Sequence, residues 1–85
     1  METIPGERAP TNVIGPQLRA HRAKAGLTQK ELAALCQRRG LDLTRGTLAK
    51  IESGSRFVKA CELFIIAKSL NVPIERFFPP GFGRG

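Results

Sequence analysis

Apolar residues recur at helical spacing along most of the chain, and glycine and proline break them into five segments. The first runs from Ile14 through Leu18 to Ala25, with His21 and Arg22 on the same side. Gly26 stops it, and Leu27 supplies the apolar residue that follows a glycine stop. Thr28-Gln29-Lys30-Glu31 reads as a capping box opening a second helix, with Leu32, Leu35 and Cys36 inward and an end near Arg39 at Gly40. Thr44 is the natural N-cap of a third helix, with Leu48 and Ile51 buried and Gly54 as the stop. A fourth helix over about 59–70 is apolar almost all round, which predicts a place in the middle of the bundle. Its stripe is Leu63, Ile66, Ala67 and Leu70, while Cys61, Phe64 and Ile65 fill much of the rest. Pro73 suits the first position of a fifth helix carrying Ile74, Phe77 and Phe78. With no strand signal and no internal repeat, the class is all-α, a compact five-helix bundle.

The ends read differently. METIPGERAPTN has two prolines, a glycine and little apolar content, which predicts a mobile arm over 1–12. The folded domain then spans 13–78. Pro79-Pro80-Gly81 closes it, leaving a loose tail over 79–85.

Two charges interrupt the apolar stripes. Arg22 lies four residues after Leu18, and Glu52 four residues after Leu48, both on the core side. Burying either alone costs several kcal/mol, so pairing is the economical arrangement. The alternative rotates both helices until these groups stay wet.

Composition narrows the function. A chain of 85 residues has room for one modest core, which disfavours an enzyme with a large pocket. No apolar run has bilayer length, and the first residues do not read as a signal peptide. The aromatics are five phenylalanines, so base stacking on an aromatic sheet is not expected. Cys36 and Cys61 lack partners at zinc spacing and read as reduced core thiols of a cytoplasmic protein, with no cofactor or metal implied. No catalytic triad, paired carboxylates, glycine-rich phosphate loop or HExxH occurs, and the one conceivable pair, His21 and Cys36, would use a core position. The expectation is a non-enzyme.

The net charge is +7, with a pI near 10.5. Residues 13–56 hold nine bases against Glu31, Asp42 and Glu52, so that segment carries +6 of it. A basic half beside a near-neutral half suggests a polyanion-binding face. Composition alone fits an ordinary solubilising surface equally well.

The motifs separate these readings. Leu18-Arg19, Arg22, Gly26-Leu27-Thr28-Gln29 and Leu32-Ala33 are followed by Thr47-Leu48, Ile51-Glu52 and Gly54, then by Leu70-Asn71-Val72-Pro73. This pattern, from about Val13 to Phe78, resembles the Cro/phage-repressor (XRE-type) helix-turn-helix family. The resemblance implies a λ-repressor-like bundle whose third helix enters the DNA major groove while the second crosses the backbone. It also implies a salt bridge between Arg22 and Glu52. Gln29 matches the position that holds a phosphate and braces the first reading side chain, and Thr44, Arg45, Gly46, Thr47 and Lys50 match those facing DNA.

The chemistry of these residues agrees. The first turns of helices 2 and 3 offer unpaired N–H groups to phosphate oxygens, with Thr28 and Lys30 beside them. Arg45 has the planar fork that fits guanine O6 and N7. Lys50 can reach a base edge or a phosphate, and Arg56 follows the helix 3 stop, placed for the backbone. Two features depart from the family. The segment CQRRGLDL lengthens the motif by about five residues, predicting an extra turn on helix 2 or a looped-out connection. Arg38 and Arg39 within it are candidate phosphate contacts, or a solvated helix end that suits the dipole. Gly46 removes a side chain from a reading position, leaving Arg45 to carry most of the specificity.

The expected partner is double-stranded DNA, bound as a small transcriptional regulator, a repressor by occlusion. A homodimer on a palindromic operator fits the family. A second reading is an antitoxin-like or anti-regulator module that binds a protein partner. His21 is expected in boundary packing, and Phe77, Phe78 and Phe82 in core closure rather than a ligand box.

Overall fold

The computed structural model describes residues 5–78 and residue 81. Among these the chain forms four α-helices and no strand: α1 (Pro5–Lys24), α2 (Gln29–Arg38), α3 (Arg45–Ser53) and α4 (Ala60–Leu70). The fifth segment is a single 3₁₀ turn, Ile74–Phe77, rather than a helix. Four residues ending at Phe77 give too short a run for α-helical bonding to propagate, and i→i+3 bonds take its place.

The first helix begins at Pro5, nine residues before Ile14. Residues 5–12, expected as an arm, instead form the start of α1, with Pro5 at the N1 position that suits it. Residues 1–4 of that arm lie outside the described residues, as does the tail over 79–85 with Phe82, apart from Gly81.

Each stop and start has a local cause. Leu27 N–H donates to Arg22 O and Gly26 N–H to Ala23 O, with Gly26 at φ 76°, a glycine stop of Schellman type. The same device recurs at the end of α2, where Leu41 N–H donates to Cys36 O and Gly40 N–H to Gln37 O. At the start of α2, Glu31 N–H donates to Thr28 Oγ1 while Thr28 N–H donates to Glu31 Oε1, closing the capping box. Thr44 Oγ1 accepts from Thr47 N–H to cap α3.

One core joins these elements. α3 packs on α1 and α2, α4 packs on α2, and the 3₁₀ turn closes against α1 and α4. Leu18, Leu32, Cys36, Leu43, Leu48, Ile66 and Phe77 are fully enclosed. Ile14, Ile51, Leu63, Ala67 and Leu70 complete the core. Leu35 is half-buried and Ala33 takes an inward place on α2.

Several inward expectations are corrected. Ala25 is exposed, because α1 has ended and the chain is already turning at Gly26. Cys61 and Phe64 face solvent and Ile65 is half-buried, so α4 has a wet face and lies at the edge of the bundle. Three helices and a short turn do not supply enough surface to cover all sides of a fourth helix. Of the two thiols only Cys36 is in the core; both are free. Burial pushes the Cys36 thiol up, against a contact to Ser69 Oγ at 3.6 Å.

Gly15 fixes how closely α1 and α3 approach. A Cβ there would lie 2.6 Å from Glu52 O and 2.8 Å from Ile51 O, both backbone atoms. Only glycine fits this crossing.

Candidate nucleic-acid interface

The site is built around the C-terminal end of α3. Arg22 Nε donates to Glu52 Oε2 at 2.6 Å, and Nη2 donates to Oε1 at 3.1 Å. Nη1 donates to Leu27 O at 2.7 Å, tying the pair to the α1–α2 turn. The Glu52 and Arg22 side chains are 4% and 15% exposed, so the two-pronged bond is shielded from competing water. The Glu52 hydrogen bonds raise the Arg22 pKa above its ordinary value, and the guanidinium stays charged. The stripe positions of both residues point to each other.

Gln29, the first residue of α2, joins this cluster: its Nε2 donates to Glu52 Oε1 at 3.1 Å. The side-chain partner the structure records for Gln29 is thus Glu52. Glu52 is seven residues along α3 from Arg45, roughly 10 Å at 1.5 Å per residue. Gln29, Arg22 and Glu52 line a shallow hollow of about 260 Å³ together with Arg19, Ala49 and Ser53. Arg19 is exposed at its rim. Sequence reasoning gave it no role, because it directly follows Leu18 and so falls outside the inward stripe. Its presence in the quoted motif was the available signal.

The other end of α3 is open. Thr44, Arg45 and Gly46 are exposed and Thr47 is half-buried. The two threonine hydroxyls bond to each other at 3.0 Å while Thr44 caps the helix, so these groups are already engaged within the turn. Among the described residues Arg45 has no hydrogen-bond or ion-pair partner, and its guanidinium can take a ligand. A Cβ at Gly46 would meet only Thr44 Oγ1, at 3.9 Å, so the surface there is unoccupied. Lys50 is exposed one and a half turns on.

Thr28 and Lys30 are exposed at the positive end of α2, with the Thr28 side chain committed to its cap. Arg38 and Arg39 are exposed at its other end. The lengthened connection takes a looped form from Arg39 to Thr44, with Leu43 fully buried and Gln37 Nε2 donating to Leu43 O at 2.7 Å.

Arg56 is drawn elsewhere. Its Nη1 and Nη2 donate to Glu62 Oε1 and Oε2, both at 2.9 Å, and Nη1 also donates to Phe57 O. The pair was missed because Arg56 lies in the turn between helices, where no periodicity aligns it with Glu62. His21 is half-buried, with Nε2 3.2 Å from Arg76 O and its ring edge-on to Phe77. Among the described residues no group of His, Cys, Asp and Glu could hold a metal ion, and no helix is long and apolar enough to cross a membrane.

The exposed, cation-tipped start of α3 and, at the far end of that helix, the start of α2 with its rigid polar cluster offer donors suited to a polyanion. Comparison with known proteins gives the same direction. A family model described as helix-turn-helix matches residues 18–77, and no curated protein matches the chain. That family comprises DNA-binding regulators of transcription. The matched segment holds α2, α3 and the Arg22–Glu52–Gln29 cluster, and covers well over half the sequence. The chain belongs to the Cro/phage-repressor (XRE-type) helix-turn-helix family.

Proposed function

We propose that the chain binds double-stranded DNA sequence-specifically, with α3 in the major groove, and represses transcription by occluding its operator. The observation that carries this reading is Arg45: exposed on the first turn of α3, unpaired among the described residues, on a helix anchored at its far end. A bidentate fork on a rigid element is what reading guanine requires. Lys50 supplements it at a base edge or phosphate. Thr44, Gly46 and Thr47 form the surface that approaches the groove.

Backbone contacts come from the start of α2 through Gln29, Lys30 and Thr28, and from Arg38 and Arg39. Arg19 joins them on the strength of its exposed place beside Gln29. Arg56, held by Glu62 and Phe57 O, serves the backbone only with its Nε–H and the second Nη2 N–H. The protein acts in the cytoplasm as a homodimer on half-sites about one helical turn apart. Selection from random duplexes tests this directly. An enriched palindrome supports it, whereas a recovered pool as random as the input overturns it.

One observation favours a second reading. Phe57, Phe64 and Ile74 are 70%, 53% and 39% exposed, and Phe64 and Ile74 line one apolar hollow with Ala67 and Val72. In this reading the bundle is a protein-interaction module, and a stoichiometric protein partner with no retardation of DNA at low salt supports it.

A further inference from the structure

The Glu52 carboxylate has more to do than neutralise Arg22. Its Oε2 accepts one bond from Arg22, while its Oε1 accepts two, from Arg22 Nη2 and Gln29 Nε2. An ionised carboxylate only accepts, so the Gln29 amide must turn its NH₂ toward Glu52 and its oxygen away. A flipped amide would set oxygen against oxygen. Gln29 opens α2 at the polar hollow between α1 and α3, where Arg19 supplies an exposed cation. Gln29 thus retains one N–H, in a fixed orientation, for a phosphate oxygen.

We propose that Glu52 is a positioning residue for DNA binding, acting through Gln29: it locks the amide so that its remaining N–H meets a phosphate without further ordering. This rests on the DNA-binding reading for its partner, but the locking itself is a property of the free protein. Ordering a rotamer-rich side chain before association removes a cost that binding would otherwise carry. Arg22 in turn holds Glu52 through a bond pattern that leaves Oε1 within reach of Gln29.

Glu52→Gln leaves one acceptor oxygen where the donors now use two, and its own NH₂ competes for the Gln29 oxygen, so the fixed orientation of the Gln29 amide is lost with little change of shape. A double-mutant cycle on duplex affinity, measured where all variants are folded, separates a role through Gln29 from a role in the fold. Glu52→Gln is expected to lose about three- to tenfold in affinity with Gln29 present, and under about twofold in a Gln29→Ala background. The same factor in both backgrounds overturns the proposal. Side-chain ¹⁵N relaxation of the wild-type protein without DNA provides a second measurement, valid even where Glu52→Gln fails to fold. The Gln29 amide should be markedly more ordered than that of half-buried Gln17, for which the structure records no side-chain hydrogen bond. Equal mobility of the two amides overturns the locking. A locked Gln29 in a protein that retards no duplex overturns the DNA-binding reading instead.

Discussion

Arg56 and Glu62 form a two-pronged ion pair across the turn that joins α3 to α4, Nη1 to Oε1 and Nη2 to Oε2, each at 2.9 Å. Glu62 Oε1 also accepts from the Lys59 backbone N–H at 2.9 Å, so one carboxylate closes the turn and opens α4. The pair makes the stability of the fold depend on acid. Hydrogen bonds from Arg56 hold the Glu62 carboxyl below its ordinary 4.5, against the opposing effect of burial, with the Lys59 amide helping. A lowered folded pKa contributes stability that is complete above the unfolded value and disappears as pH falls through the folded one. Melting temperature should therefore decline as pH drops below about 4.5, and Glu62→Gln should flatten that decline. Parallel pH profiles for the two proteins would place the acid sensitivity elsewhere. Arg56→Lys, which keeps the charge but loses the fork, should lower the melting temperature while changing affinity per folded molecule little.

Two glycines should respond to alanine with opposite sign. At Gly15 the new methyl meets two backbone carbonyls of α3 under 3.0 Å, so Gly15→Ala should destabilise by about 1–3 kcal/mol or more. Gly46 is helical and open, and Gly46→Ala should stabilise by roughly 0.5–1 kcal/mol. Denaturant titration measures both. Equal signs would mean that the close crossing of α1 and α3 is misassigned.

The 3₁₀ turn holds the fold through one ring. Phe77 is fully enclosed, edge-on to His21 at 5.2 Å between centroids. Phe77→Ala should cost about 3–5 kcal/mol, a large share of the stability of a domain this size. Unfolding that shifts by under about 1 kcal/mol would show the turn to be dispensable.

Binding should separate readers from anchors. Arg45→Ala should erode discrimination between the selected site and random duplex by about 1–3 kcal/mol. Gln29→Ala should weaken binding to every sequence alike. With about five phosphates neutralised per domain, log affinity against log salt should slope near −4 to −5, and Arg19→Ala should reduce that slope by about one. Equal losses on both duplexes for Arg45→Ala would remove Arg45 from the reading face.

Much of this architecture is legible where its cause is local. The glycine stop at Gly26, the capping box from Thr28 to Glu31 and the cap at Thr44 each need a few neighbouring residues, and each stands in the sequence as in the structure. Arg22 and Glu52 were legible because each breaks an apolar stripe. Gly15 was not, since a missing side chain leaves no mark on hydrophobic periodicity and its reason lies on another helix. Arg56 was read as a backbone contact for a similar reason: its partner is set by the direction of a turn. Cys61 and Phe64 looked interior because an apolar helix invites burial, but burial also needs neighbours on every side. Gln29 was placed correctly at the start of α2, yet its contact depends on how α2 crosses the end of α3.

The connection from Arg39 to Thr44 has a consequence for how this chain can vary. Leu43 is sunk in the interior and tethered by the Gln37 amide, and Gly40-Leu41 terminates α2 on its own bonds. The pose of α3 is set by Leu48, Ile51 and the Arg22 clasp, none of which lies in the link. Asp42 is the exposed residue between half-buried Leu41 and buried Leu43, so added residues there should bulge outward into solvent while the helix beyond keeps its aim.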